Sequence, residues 1–330
     1  MKIAFVGKGG SGKTTLASLL VTHLASTGRP LLAVDADINQ HLAVALGATE
    51  AEASAWPTLG SRLTFIKDHL RGTNPRIASA AEMIKTTPAG AGSRLLGVDE
   101  DNPIWRECVR EVRGVRLAVT GPFADSDLGV ACYHSKVGAV ELLLNHLVDE
   151  PGEYVVVDMT AGADAFASGL FTRFDVTFLV CEPTVRSVGV YRQYRDHARD
   201  FGVRIVVVGN KISDADDLDF LRAQVGGDLY AWIGRSAHVR AAERGEVRPI
   251  AALEPENRSA LAAMVDLVKR TPKDWLRFQQ QAVEFHQRNA AAWANGRSGS
   301  DLADQIDPGF VPGPEALARS GEAAAPQPVA

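Results

Sequence analysis

The sequence predicts an α/β fold, a mainly parallel, doubly wound sheet of about seven strands with helices on both faces. Short runs rich in apolar and β-branched residues alternate with helix-like stretches along the chain. Several of these runs are apolar throughout, which is typical of strands buried on both faces. The alternation indicates right-handed βαβ crossovers, so ligands are expected at the carboxyl ends of the strands. The predicted strands are 2–6, 31–35, 115–120, 154–158, 176–180, 204–208 and 229–233.

Helical stretches fill the intervals between these strands and continue past the last one. The predicted helices are 136–148, 185–200, 216–225, 257–270 and 273–294. We expect a core domain over residues 1–270, in which 48–112 form an irregular helical insertion that is rich in proline and glycine. The amphipathic helix within 271–295 is expected to dock on the core or on a partner subunit. Residues 296–330 are rich in Gly, Pro, Ser and Ala, which favours a disordered tail.

The composition argues against several classes of protein. The net charge is −5 and no polybasic block occurs, so bulk charge gives no support for binding nucleic acid or an anionic membrane. No apolar run reaches the length of a membrane span. Lys2 leads directly into the first predicted strand, so we expect no signal peptide. The three cysteines are scattered and odd in number, which argues against a disulfide framework. We therefore expect a cytoplasmic protein that contacts no membrane.

The run from Gly7 to Thr15 joins the first predicted strand to the first helix. It has the Gly-x4-Gly-Lys-Thr spacing of a phosphate-binding loop. Glycine lets backbone amides approach phosphate oxygens, and the start of the helix completes an anion site. Lys13 is predicted to contact the β- and γ-phosphates, and the Thr14 hydroxyl to bind Mg²⁺. The predicted nucleotide-binding residues of the loop are Gly9, Gly10, Ser11, Gly12, Lys13, Thr14 and Thr15.

Three aspartates stand at the ends of two further predicted strands. Asp35 and Asp37 end the second strand, and Asp158 ends the fourth. The carboxyl ends of parallel strands meet at one edge of the sheet, which places these residues beside the phosphate-binding loop. We expect Asp158 to bind Mg²⁺, Asp35 to help organise the metal site, and Asp37 to orient the attacking water. For any one of them, a helix N-cap is the alternative.

A later predicted strand runs into Gly209-Asn210-Lys211-Ile212-Ser213, which bears on the choice of base. Asn210 can hydrogen-bond an adenine edge, and the stem of Lys211 can cover the ring. Guanine-specific phosphate-loop proteins place Asp where Ser213 stands, and a hydroxyl cannot accept both guanine N–H groups. The sequence therefore favours ATP over GTP, although Asp214 one residue later leaves the choice open.

With these residues in view, the chain resembles the MinD/ParA class of P-loop ATPases over residues 1–270. Within that class it is most similar to the carbon monoxide dehydrogenase maturation ATPases, which insert nickel. The resemblance rests on Lys8-Gly9-Gly10-Ser11-Gly12-Lys13-Thr14-Thr15, Val34-Asp35-Ala36-Asp37, Asp158-Met159-x-Ala161-Gly162, Glu182-Pro183-Thr184-x-Arg186-Ser187 and Gly209-Asn210-Lys211.

The resemblance implies a homodimer that forms with ATP. In that class, the lysine that Lys8 matches crosses the dimer interface and touches the phosphates of ATP held by the other subunit. Lys8 would thus join Lys13 and Asp37 as a catalytic residue, because a cation supplied in trans stabilises charge on the transferring phosphoryl group. The same contact couples ATP binding to dimer closure. Asp37 matches the class's hydrolytic aspartate, and Thr14 and Asp158 match its magnesium positions.

The chain departs from the maturation ATPases at one motif. They carry a Cys-x-Cys pair before a helix, where two subunits share a metal, and the corresponding residues here are Cys132 and His134. Thiolate and imidazole both bind zinc and nickel, so two subunits would supply a Cys2His2 set at the dimer interface. The alternative is a small buried cysteine followed by a histidine near a helix start.

The sequence therefore favours a Mg-dependent ATPase that acts as a nucleotide-switched homodimer and assists metalloenzyme maturation, with a client that the sequence does not identify. One alternative is a ParA-like partition or cargo-positioning ATPase, against which the acidic balance counts because those proteins bind DNA through basic surface residues. Another alternative is a regulatory module that senses ATP without hydrolysing it.

Overall fold

The computed structural model describes residues 1–37, 39–122, 133–160, 166 and 168–322, with the backbone alone for 133–136 and 321–322. The strands are β1 Lys2–Gly7, β2 Leu31–Ala36, β3 Leu96–Gly97, β4 Val109–Val112, β5 Val115–Val119, β6 Leu147–Val148, β7 Tyr154–Met159, β8 Val176–Cys181, β9 Ile205–Ile212 and β10 Leu229–Gly234. The α-helices are α1 Lys13–Ala25, α2 Leu42–Ala45, α3 Glu50–Ser54, α4 Leu63–Arg71, α5 Pro103–Cys108, α6 Tyr133–His146, α7 Val185–Ala198, α8 Ala215–Val225, α9 Ala237–Ala242, α10 Pro255–Arg270, α11 Trp275–Asn289, α12 Asn295–Ser298 and α13 Pro314–Glu322. Short 3₁₀ turns cover Ala80–Glu82, Gly169–Thr172, Arg199–Phe201, Gly226–Asp228, Ile250–Ala252 and Leu302–Gln305, and a π-helical turn covers Ala290–Ala294.

Eight strands form one sheet in the order β10-β9-β8-β1-β7-β2-β5-β4. The pairings are parallel except that of β4 with β5, and β3 and β6 make a separate two-stranded parallel sheet. The predicted fold class, a mainly parallel doubly wound sheet with helices on both faces, is confirmed. All seven predicted strands are present, and their carboxyl ends share the edge of the sheet that carries the phosphate-binding loop.

Each face of the sheet supports its own hydrophobic core. Alternate residues of one strand enter different cores, since successive side chains of a strand point to opposite faces. On β7, for example, Val155 and Val157 join one cluster and Val156 the other. Helix α6 fills the first cluster, and α1 and α10 fill the second. This layering holds β1, β2 and β7 rigid at the centre, where the candidate site lies.

The structure adds an edge strand that the sequence patterns did not indicate. Strand β4 lies within the predicted irregular insertion and pairs antiparallel with β5, with Val112 opposite Val115. The turn between them is Arg113-Gly114, and both residues have positive φ, 51° and 77°. A two-residue turn with positive φ at both positions is the usual hairpin connection, but Arg is an uncommon residue in it. The insertion is therefore shorter than expected, because its last residues belong to the sheet.

The C-terminal residues pack on the core further than predicted. The aromatic face of α11 packs on the core, with the Phe285 ring 5.5 Å from Phe171 and 5.3 Å from Phe201. The expectation of a disordered tail from residue 296 differs from the structure, in which Leu302 and Ala316 are buried and α13 is formed. A few well-placed apolar side chains suffice to anchor a segment whose average composition is that of a linker. Residues 323–330 lie outside the described residues.

Among the described residues, no helix has both the length and the apolar character that crossing a bilayer requires.

Candidate functional site

The phosphate-binding loop closes between β1 and α1, as predicted. The Ser11 amide donates to the Lys8 carbonyl oxygen over 3.1 Å, which folds the loop into a turn, and the Lys13 side chain is buried at its base. Gly12 adopts φ 96°, and a Cβ there would lie 2.1 Å from Asn210 Nδ2. Only glycine fits this position, because both the left-handed conformation and the close approach exclude a side chain.

Two residues at the end of β9 donate hydrogen bonds to the backbone of the phosphate-binding loop. Asn210 Nδ2 donates to the Ser11 carbonyl oxygen over 2.7 Å. Lys211, at φ 60°, donates from Nζ to the Gly10 carbonyl oxygen over 2.8 Å and to Glu182 Oε1 over 2.6 Å. The structure thus brings both predicted base-binding residues to the loop, where they already hold its backbone in position.

A hydroxyl and a carboxylate meet at the start of α1. Strand pairing places Asp158 of β7 level with Phe5 of β1, and the Thr14 hydroxyl donates to Asp158 Oδ2 over 2.6 Å. The second oxygen, Oδ1, is buried without a hydrogen-bond partner among the described residues. Burial raises the pKa of Asp158 to about 7, opposed by the Thr14 hydrogen bond and the Lys13 charge. An ionised carboxylate here therefore calls for a cation.

Asp35 and Asp37 follow each other around the turn that leaves β2. Asp35 lies opposite Asp158 in the sheet, and burial together with the Asp158 charge raises its pKa well above the usual range. Its Oδ1 accepts from the Asp37 amide over 3.1 Å and its Oδ2 from the Leu42 amide over 2.9 Å. Asp37 in turn accepts from the backbone amide and from Nδ2 of Asn39, each over 3.0 Å. Asp35 shapes the turn, and the turn places the charge of Asp37 near Asp158.

Lys8 lies at the outer rim of the loop. Within the described part of the chain, its ammonium makes one hydrogen bond, 3.0 Å to the Gly9 carbonyl oxygen, and no ion pair. Gly9 and Gly10 beside it are exposed. Reaching outward from the site would therefore cost the side chain only this one exposed hydrogen bond.

The predicted metal pair is Cys132 and His134. Cys132 and the side chain of His134 lie outside the described residues, although the backbone of His134 belongs to α6. In the portion that is described, no three His, Cys, Asp or Glu side chains are arranged to hold a metal ion by themselves. A magnesium ion in the phosphate site would thus need the Thr14 hydroxyl, phosphate oxygens and water besides carboxylate, which is its usual set of ligands.

Three features of the site have no role predicted from the sequence: Asn39, Glu182 and a groove along α1. Asn39 fixes Asp37, and its position two residues after an aspartate is the pattern of an Asx turn. Glu182, at the end of β8, pairs with Lys211. A groove of about 1160 Å³ runs from Thr14 and Thr15 along α1, between α2 on one side and the segment after α9 on the other. The groove depends on tertiary packing and has no local sequence pattern.

Comparison with known protein families matches residues 3–250 to the CobQ/CobB/MinD/ParA nucleotide binding domain. Two relatives are similar over most of the chain. The carbon monoxide dehydrogenase accessory protein CooC of Rhodospirillum rubrum is 28% identical over 222 residues, which cover 67% of this chain and 78% of that protein. An uncharacterized ATP-binding protein of Methanocaldococcus jannaschii is 27% identical over 237 residues, with coverage of 71% and 84%.

Solved structures share the fold, among them those of a MinD protein and a ParA family ATPase. The septum site-determining protein MinD of Pyrococcus horikoshii, complexed with Mg-ADP, superimposes with a TM-score of 0.54 at 15% identity and covers 82% of this chain and 96% of its own. A ParA family ATPase of Chlorobium tepidum gives a TM-score of 0.52 at 14% identity, with coverage of 86% and 96%. At these identities the likeness concerns the fold.

Proposed function

Because the chain belongs to the CobQ/CobB/MinD/ParA nucleotide-binding domain family, we propose that it is a Mg-dependent ATPase that switches between monomer and dimer with its nucleotide. Membership agrees with the resemblance to the MinD/ParA class and establishes a nucleotide-binding domain. The observation that carries the proposal is the meeting of Lys13, Thr14, Asp37 and Asp158 at one edge of the sheet. The loop amides and Lys13 bind the phosphates.

Magnesium fits the acidic side of this site. Asp158 has a buried oxygen without a partner among the described residues, and burial raises its pKa despite the Thr14 hydrogen bond and the Lys13 charge. Thr14 and Asp158 would hold the ion, which offsets charge on the β- and γ-phosphates when it is bound. Asp35 already uses both oxygens on backbone amides, so it organises the metal site by orienting the turn that leaves β2.

Asp37 is the residue that we assign to the attacking water. Its carboxylate stands at the sheet edge and is held by Asn39, so its orientation does not depend on the nucleotide. A carboxylate fixed beside the phosphate loop can align a water molecule and accept its hydrogen bond.

The residues that follow β9, which we expect to lie near the base, favour ATP as the nucleotide. Asp214, which left the choice open in the sequence, accepts from the Asp217 amide over 3.0 Å and caps α8. Ser213 accepts from Arg235 Nε over 2.8 Å. Asp214 is therefore engaged as a helix cap, and Ser213 has no carboxylate to offer a guanine edge. The M. jannaschii relative is described as ATP-binding.

The proposal of a nucleotide-dependent dimer rests on Lys8. Its ammonium lies at the rim and is not engaged by a carboxylate among the described residues. A cation in that position can bind the phosphates of a partner's ATP, so the nucleotide would stabilise the closed dimer and the closed dimer would complete the catalytic site.

We propose that the client protein is a metalloenzyme that is being matured. Support comes from the similarity to the carbon monoxide dehydrogenase accessory protein. Cys132 and His134 of two protomers would then hold a zinc or nickel ion as cargo at the dimer interface.

The test combines light scattering with phosphate release on three variants. We expect wild type to dimerise with ATP and Mg²⁺, Asp37→Ala to dimerise without turnover, and Lys8→Ala to stay monomeric with turnover lowered about 100-fold or more. Lys269→Ala, on the exposed face of α10, is the matched control and should behave as wild type. The dimer peak is then analysed for zinc and nickel.

Several outcomes would contradict the proposal. Dimerisation of Lys8→Ala equal to wild type removes the role of Lys8, and absence of turnover in wild type removes the ATPase. A metal-free dimer removes the cargo site. Strong, salt-dependent DNA binding with ATP would instead support a ParA-like positioning ATPase.

A further inference from the structure

A second cavity lies away from the phosphate-binding loop. Its volume is about 490 Å³, and it opens between α4, the 3₁₀ turn Ala80–Glu82, α6 and the C-terminal residues around α12. It shares no lining residue with the groove along α1. Its apolar side chains are Leu63, Met83, Ile84, Leu142, Trp293 and Leu302. The volume is within the usual range for sites of small organic ligands.

The charges in this cavity are unbalanced. Among the described lining residues, Lys67, Lys85 and Arg297 are basic and Glu82 alone is acidic. Lys67 and Arg297 have neither an ion pair nor a side-chain hydrogen bond to any other described residue, and burial together with the Arg297 charge lowers the pKa of Lys67. Lys67 is partly buried and lies close enough to exposed Arg297 to feel its charge, so an anion bound between the two side chains would offset their repulsion.

Hydrogen bonds hold the walls of the cavity in place before any ligand binds. The Trp293 indole N–H donates to Asn289 Oδ1 over 3.0 Å, which holds the half-exposed ring at the rim on the π-helical turn. Gln305 ties the opposite wall by donating to the Glu82 carbonyl oxygen over 3.3 Å and accepting from Thr87 Oγ1 over 3.2 Å. π-Helical turns inside α-helices occur often at functional sites. The ordering cost that remains for a ligand is therefore mainly that of the Lys67 and Arg297 side chains.

We propose that this cavity binds a small organic anion with an apolar or aromatic body. Lys67 and Arg297 bind its anionic group, Trp293 covers its body, and the aliphatic floor excludes water from the remainder. Arg offers a planar pair of donors and Lys a point charge, so a carboxylate or a single phosphate can be held between them. This site is independent of the proposed ATPase function and would be retained if that function were wrong.

The test uses 2-naphthoate as probe and 2-naphthamide as its neutral counterpart, measured by isothermal titration on the full chain. We expect naphthoate to bind with a Kd below about 1 mM and the amide to bind at least about tenfold more weakly. Lys67→Gln/Arg297→Gln should weaken naphthoate about tenfold or more and leave the amide unchanged. Lys269→Gln, an exposed lysine of α10, should leave both unchanged.

A second variant separates ligand binding from folding. Trp293→Ala keeps the charges and removes the wall, so it should weaken both probes. The double glutamine variant should melt at or above the wild-type temperature, because it removes repulsion between like charges. Failure of naphthoate to bind at about 1 mM, or equal binding to wild type and to the double variant, overturns the proposal.

Discussion

At the scale of single residues, Gly12 is the position at which the phosphate-binding loop packs closely against Asn210 of β9. A Cβ at Gly12 would lie 2.1 Å from Asn210 Nδ2, the group that donates to the Ser11 carbonyl oxygen. We expect Gly12→Ala to displace Asn210, to free the loop backbone and to lower the affinity for Mg-ADP about tenfold or more, as measured by titration calorimetry.

Gly28 provides the matched control for that substitution. It also has positive φ, 68°, but nothing lies within 4 Å of a Cβ built on it. Gly28→Ala should therefore cost stability of about 1 kcal/mol through its backbone conformation and leave nucleotide affinity unchanged. Equal affinities for the two alanine variants would show that contact with Asn210 does not hold the loop.

At the scale of elements, the sequence predicts the central strands well because a strand buried on both faces has a simple pattern. The aspartates at the ends of β2 and β7 are predictable for the same reason, since parallel strands bring their carboxyl ends together. The role of Asp35 is not predictable, because it depends on where the backbone returns after β2 to offer the Leu42 amide. Strand β4 carries charged residues and lacks an Asn-Gly turn. The docking of the tail relies on contacts such as Thr87 with Gln305, 218 positions apart.

Helix α6 contains a buried acid that makes stability depend on pH. Glu141 is buried with Oε2 unpartnered among the described residues, and burial raises its pKa to about 7 against the opposing effects of Lys85, Ser168 and Arg173. The folded protein therefore keeps a proton between about pH 4.5 and 7 that the unfolded chain has lost, so this group lowers stability as pH rises through that window.

Replacing Glu141 with Gln should remove this dependence. Gln retains a carbonyl oxygen for Ser168 and cannot ionise, so the free energy of unfolding of the variant should gain about 3 kcal/mol relative to wild type between pH 4.5 and 8. Urea unfolding at several pH values measures the difference. Parallel pH profiles for the two proteins would mean that Glu141 stays ionised in the folded state throughout.

At the scale of the whole molecule, a buried ionic network ties the C-terminal segment to the first strand. Lys273, just before α11, donates to both Asp149 oxygens over 2.7 and 2.8 Å and to Asp175 over 2.8 Å. Lys2 of β1 also donates to Asp149 over 2.6 Å, and both ammonium groups lie within 5 Å of the Trp275 ring. Since Asp149 is buried, removal of one cation leaves its charge short of compensation.

The C-terminal segment should therefore unfold together with the nucleotide-binding core. We expect Lys273→Met to lower the free energy of unfolding by about 3 kcal/mol, because a buried carboxylate loses a partner. Lys269→Met, at an exposed position of α10, should change it little. Urea unfolding followed by tryptophan fluorescence and by far-ultraviolet circular dichroism should give one coincident transition in wild type and in the variant. Two separate transitions, or a Lys273→Met variant as stable as Lys269→Met, would mean that residues 271–322 rest on the core without contributing to its cooperative stability. One transition at lower urea would make the first strand and the last helices parts of a single folding unit, with the phosphate-binding loop beginning where that strand ends.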